Sequence, residues 1–218
     1  MPYQQLNNPS SPPDVPIYPY VRLRYAKAGG TRLGIGSAFF LRNWGATLIT
    51  AAHVLRGLQE QRATRLRVDA FDASNRSYLF FAKSILVPSP GAPVDDIALI
   101  SLSSEAMIQD PWDLGILPPP PFAARLFGYP ADQGVTNAAV ACATLDVTVD
   151  QTDPALLFRT AVGKEGMSGG PVVNEDGGVV GCYVGDVPVA GAIYDGARSI
   201  DYDLLNSLHD SLVARDAR

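Results

Sequence analysis

Apolar residues along this chain recur at every second position or in short runs, and the gaps between them are rich in glycine and proline. That is the pattern of strands joined by turns. Val21, Leu23 and Tyr25 alternate with Arg22 and Arg24, which predicts a strand with one buried and one solvated face. Gly34 to Leu41 and Ala46 to Ala51 read as the next two strands, joined through Arg42-Asn43-Trp44-Gly45. A short helical turn over Val54 to Gln59 follows. Leu66, Val68 and Ala70 then alternate with charged residues, and Tyr78 to Val87 and Asp96 to Leu102 supply two more strands. The second half repeats the theme with Ala123 to Phe127, Ala138 to Val149, Leu156 to Thr160, Gly170 to Val173, Val179 to Val184 and a last strand near Ala197 to Ile200. Asn174 to Gly178 is a hairpin turn by composition. Leu204, Leu205, Leu208 and Leu212 stand at helical spacing and predict an amphipathic C-terminal helix.

Prolines divide this series. Pro118 to Pro121 cannot sit in a central strand, and Asp110-Pro111-Trp112-Asp113 is turn-like, so a linker is expected over 110–121. It separates a first half, 17–109, from a second, 122–200, ahead of the helix over 201–218. Residues 1–16 carry five prolines and little apolar surface, which predicts a flexible arm. The architecture expected is all-β, with no repeat at a fixed period.

Composition narrows the function classes. A chain of 218 residues, 47% hydrophobic, can bury a real core. The formal net charge of −5 argues against nucleic acid as a partner. Membrane spanning is not expected either, because no apolar run approaches about 18 residues. The N-terminus lacks the basic start and apolar segment of a secretory signal, which predicts a cytoplasmic protein. Cys142 and Cys182 both lie in apolar runs and read as buried free thiols rather than a disulfide, in keeping with a reducing compartment. Neither a metal site nor a cofactor loop is expected: the histidines and cysteines have no ligand spacing, and Gly34-Ile35-Gly36 is a lone glycine pair in a strand.

The candidate chemistry centres on Gly166-Met167-Ser168-Gly169-Gly170-Pro171. A serine between glycines is held in a sharp turn, with its hydroxyl in a cleft and the N–H groups of Gly166 and Ser168 able to meet an oxyanion. Such a hydroxyl needs a base whose pKa lies near the working pH, and the chain has two histidines, His53 and His209. His209 reads as a partly exposed residue of the C-terminal helix. His53 ends the apolar run from Ala46 and stands at the mouth of a buried strand. Its imidazole in turn needs a carboxylate to fix the tautomer. Asp96, directly before Ile97-Ala98-Leu99-Ile100, is the expected partner, and Asp95 is the alternative pointing the other way off an extended backbone.

The order His53, Asp96, Ser168 and the words around them resemble the trypsin/chymotrypsin-like serine endopeptidases, over most of the chain from about Gly34. That resemblance implies a double six-stranded antiparallel β-barrel with a C-terminal helix and an active cleft between the barrels. It further implies a polypeptide substrate and no cofactor. Met167 departs from the pancreatic pattern, in which an aspartate before the serine pairs with a newly cut N-terminus, so that activation switch is not expected. The stretch from Ser168 to Gly181 instead resembles bacterial HtrA-type proteases, here without their peptide-binding PDZ domain. The family pattern puts the pocket base at Val162, with walls from Gly163 and from Tyr183, Val184 and Gly185, and an apolar base favours small or aliphatic residues before the cut. Asp186 and Asp195 keep a basic preference open. For Tyr183 the alternatives are stacking on substrate backbone and packing on the surface. Beside endopeptidase activity stand a catalytically silent binding or regulatory module and cleavage of one dedicated partner. The sequence leaves oligomeric state open.

Overall fold

A computed structural model describes residues 15–26, 33–60, 66–89, 96–131, 141–149 and 155–216. Among them the chain forms β1 (Tyr20–Ala26), β2 (Leu33–Phe40), β3 (Thr47–Ala51), α1 (Ala52–Glu60), β4 (Leu66–Phe71), β5 (Ser77–Leu86) and β6 (Ile97–Leu102). The second half follows as β7 (Phe122–Gly128), β8 (Ala141–Val149), β9 (Ala155–Phe158), β10 (Pro171–Asn174), β11 (Val179–Val189), β12 (Ala192–Ser199) and α2 (Tyr202–Asp216). Strands β1-β2-β3-β6-β5-β4 close one barrel. The other six close a second in the same relative order, β7-β8-β9-β12-β11-β10, with antiparallel neighbours throughout. Closure leaves no open strand edge, which is how all-β folds avoid pairing with other chains. The two halves therefore share a topology although they share no sequence repeat.

Inward side chains follow the period-two pattern. Val21, Leu23, Ala38, Phe40, Val68 and Leu99 are fully buried in the first barrel, and Leu126, Leu156, Val172 and Ala197 in the second. The prediction of a half-solvated β1 is corrected, because Arg22 and Arg24 are buried as well. Arg22 lies across from Asp69 on β4. Arg24 Nη2 donates to Asp69 Oδ1 at 2.8 Å, and Arg22 Nε stands 3.5 Å from Asp69 Oδ2, with its guanidinium 5.4 Å from the Phe71 ring centroid. Burial pushes the Arg22 pKa down, against the pull of Asp69. Charged residues in an alternating strand read as outward-facing unless their buried counter-ion, 45 residues away, is known.

The segment ahead of β1 is bound into the fold as well. Ile17 is fully buried, its N–H donating to Met107 O at 2.9 Å and its carbonyl accepting Gln109 N–H at 2.7 Å. The Tyr20 ring stacks on Tyr18, Trp112 and Phe127 at centroid distances of 5.5, 5.7 and 5.8 Å, tying β1 to the inter-barrel connection and to β7. Of the expected arm, residues 1–14 lie outside the described residues.

One further expectation changes. The last strand, placed near Ala197 to Ile200, is the end of a long β11–β12 hairpin that reaches Val189 and Ala192. Gly185, Pro188 and Gly191 masked it, yet Pro188 faces Ile193 and Gly191 sits in the turn with φ +85°. Cys182 is a buried free thiol whose pKa burial pushes up, while the Cys142 side chain lies outside those described. The expected helix α2 is capped by Asp201, whose Oδ1 accepts Leu204 N–H at 2.8 Å. It buries Leu205 and Leu212 against β5 and β6, and His209 on it packs on Trp44 at 4.9 Å between ring centroids.

Candidate active site

The register of β3 against β6 decides where the imidazole goes. Ala51 pairs with Ile97, so the residue after Ala51 and the residue before Ile97 meet: Ala52 N–H donates to Asp96 O at 3.0 Å. His53 is then the second residue of α1. Its N–H donates to Asp96 Oδ1 at 2.8 Å, while its ring Nδ1 lies 2.9 Å from Asp96 Oδ2. One carboxylate thus satisfies an orphan N–H at a helix start and holds the imidazole. An ionised carboxylate can only accept, so Nδ1 carries the proton and Nε2 is left as the acceptor. The side chain of His53 is 42% exposed and that of Asp96 18%, so the imidazole opens to solvent while its partner is sheltered. Asp95 lies outside the described residues.

The serine turn is held by its backbone and by the first barrel. Gly166 and Gly169 take φ +91° and +89°, a region that favours glycine. Met167 is fully buried in the core of the second barrel, which pins the turn from below. From the other side comes Ser37 on β2. Its N–H donates to Ser168 O at 2.7 Å, its hydroxyl donates to Gly166 O at 2.9 Å, and Tyr129 N–H donates back to that hydroxyl at 2.9 Å. Thr50 Oγ1 completes the set by donating to Ser37 O at 2.7 Å. Among the described residues, the N–H groups of Gly166 and Ser168 have no protein acceptor and remain available to an incoming oxygen.

Gly36 shows how close the two parts come. A Cβ there would stand 2.5 Å from Val54 Cγ1 and 3.4 Å from Ser168 O, so the neighbour of His53 and the serine backbone flank one glycine. A Cβ on Gly169 would likewise stand 2.1 Å from Ser37 O and 3.0 Å from Ala51 N. The seam between the barrels therefore brings the Ser168 turn to Gly36 and Ser37 in the middle of β2 and to the end of β3, where α1 with His53 begins.

Sequence alone does not mark Ser37, Thr50 or Tyr129 as part of this site. A serine in the apolar run of β2 was the available signal, but a hydroxyl in a strand is unremarkable without its partner 129 residues away. Ser37→Ala would strand Gly166 O and Tyr129 N–H in a buried seam. It is expected to cost about 1–3 kcal/mol of stability and to lower kcat by roughly 10² through misplacement of the turn. Denaturant titration alongside turnover checks this, and an unchanged kcat would show that the turn holds itself.

The predicted pocket residues divide. Val162 and Gly163 are half-buried, and their N–H groups donate to Asp195 Oδ2 at 2.8 and 3.0 Å. Tyr183 neither stacks in the open nor packs on the surface: it is 4% exposed and donates its hydroxyl to Asp195 Oδ1 at 2.6 Å. Burial first, and then the carboxylate, push its pKa far up. Val184 points the opposite way, into the cluster that the first barrel shares with Cys182 and Val187, while Tyr183 packs in the core of the second barrel, a consequence of strand alternation. Asp186, across the hairpin from Asp195, is exposed. Among the described residues there is no cluster of three or more His, Cys, Asp or Glu side chains placed to hold a metal ion, and no helix is long and apolar enough to cross a membrane.

A model of the trypsin-like peptidase domain matches residues 36–182. The chain belongs to the trypsin-like peptidase family. Solved structures place this peptidase among trypsin-like serine proteases in fold. Deg5 is 18% identical, with 87% of this chain and 86% of that one covered at a TM-score of 0.61. A serine endoprotease from Yersinia pestis is 20% identical, with 93% and 65% covered at 0.61. An HtrA-type protease solved with a tripeptide is 18% identical, with 88% and 59% covered at 0.59. No curated protein sequence matches the peptidase significantly.

Proposed function

We propose that this peptidase is an endopeptidase working through an acyl-enzyme on Ser168, with His53 as base and then acid and Asp96 as its orienting partner. The observation that carries this reading is the His53 Nδ1 to Asp96 Oδ2 contact of 2.9 Å, which leaves Nε2 to accept a proton. In the first step His53 Nε2 takes the Ser168 hydroxyl proton as the oxygen attacks the carbonyl carbon of the scissile bond. The oxyanion that forms is received by the N–H groups of Gly166 and Ser168. His53 then gives its proton to the leaving nitrogen, the C–N bond breaks, and the acyl group stays on Ser168. Water enters by the same route, its proton passing to Nε2 and on to Ser168 as the acyl group leaves as a free acid. Substrate preference on this reading is for small or aliphatic residues before the cut.

A fluorophosphonate probe tests the nucleophile directly, because it phosphonylates an activated serine without needing the right substrate. Labelling of the wild type that disappears in Ser168→Ala is the expected result. Folded wild-type protein that takes no label would favour a catalytically silent binding module in its place.

A further inference from the structure

We propose that Tyr183 is the floor of the pocket for the residue before the scissile bond, and that it limits that residue to Gly, Ala or Ser. The inference deepens the endopeptidase reading and rests on it for where the substrate lies. On the family pattern, a side chain entering the pocket passes between the Val162-Gly163 segment and the strand carrying Gly185. The Tyr183 hydroxyl oxygen occupies that interval. It lies 1.5 Å from where a Gly163 Cβ would be and 3.8 Å from where a Gly185 Cβ would be. Gly163 thus has to be glycine to admit the phenol, and the phenol takes the depth that an incoming side chain would use.

The phenol is also held in place. Its ring lies 6.1 Å from that of Phe158, nearly parallel at 9°, within the core of the second barrel. Asp195 anchors the oxygen, and the same carboxylate accepts the N–H groups of Val162 and Gly163. Swinging Tyr183 aside would break a charge-assisted hydrogen bond in a sheltered site. Asp195 consequently acts as a tether rather than as a reader of Lys or Arg. Three donors already meet its two oxygens, one of them the phenol itself.

Binding of short product peptides to the Ser168→Ala protein tests the pocket without turnover, so its outcome is separate from that of the labelling experiment. Peptides ending in Ala, Leu, Phe or Lys are compared by calorimetry. Tightest binding of the Ala peptide, by about 10-fold or more over the Leu, Phe and Lys peptides, is expected, a discrimination of the size a few methylenes produce. Tyr183→Ala in the same background should invert the order in favour of Leu or Phe, while Tyr183→Phe, which keeps the ring, should retain the preference for Ala. Equal or tighter binding of Phe or Lys peptides to protein with Tyr183 intact overturns the proposal, as does the absence of binding by all four. An unchanged order in folded Tyr183→Ala overturns it too. Should Tyr183→Ala fail to fold, the wild-type ranking and the Tyr183→Phe comparison still decide.

Discussion

Asp96→Asn is expected to lower kcat by roughly four orders of magnitude, the size known for exchanging a triad carboxylate for its amide. The cause is a tautomer and not a lost fold. Asparagine is as good a cap as aspartate, so its oxygen can go on accepting His53 N–H, and stability should change by less than about 1 kcal/mol. Its NH₂ group then faces Nδ1, 2.9 Å from the present carboxylate oxygen, and as a donor it requires Nδ1 to be the acceptor. The ring proton moves to Nε2, where it cannot take one from Ser168. Turnover measured beside a denaturant midpoint separates the two effects. Undiminished kcat in Asp96→Asn would transfer the orienting role to another group, with Asp95 the first to examine.

Much of this arrangement was legible because it is local in sequence. His53 just past the end of β3 and Asp96 just ahead of β6 each stand where an apolar run meets a polar residue, and strand pairing does the rest. The Ser168 turn announces itself through glycines that its positive φ values require. Hidden were the contacts whose two ends lie far apart. Arg22, Arg24 and Asp69 look like solvated charges until β1 and β4 are paired, and only then become a buried ion cluster. Ser37 looks like filler until the second barrel brings Gly166 and Tyr129 to it. Tyr183 is the sharpest case: alternation says correctly that it and Val184 face opposite ways, but not which of them faces the pocket. That choice is made by the bulge at Tyr183/Gly185 and by Asp195, 12 residues away across the hairpin.

Gly169→Ala should abolish detectable turnover and destabilise the protein by more than backbone strain alone can explain. An alanine at φ +89° costs about 1–2 kcal/mol wherever it sits. Gly177 isolates that cost, since it has φ +84° in the β10–β11 turn and a Cβ there would meet nothing within 4 Å. Gly177→Ala is therefore expected to lose about 1–2 kcal/mol and to keep its activity. At Gly169 the added carbon would sit 2.1 Å from Ser37 O and 2.2 Å from Thr50 Oγ1, inside the hydrogen bond that joins them. Backbone has to give way, and the backbone in question links β2, β3 and the serine turn. A shift of about 1 Å there is enough to cost roughly 10² in rate by misorientation, before the loss of the Ser37 contacts is added. Comparing the two variants by denaturation and by fluorophosphonate labelling distinguishes strain from collision. Similar stability and similar labelling would mean that the barrels can part at this seam without disturbing Ser168, and the close fit of the two halves would then not be what positions the nucleophile.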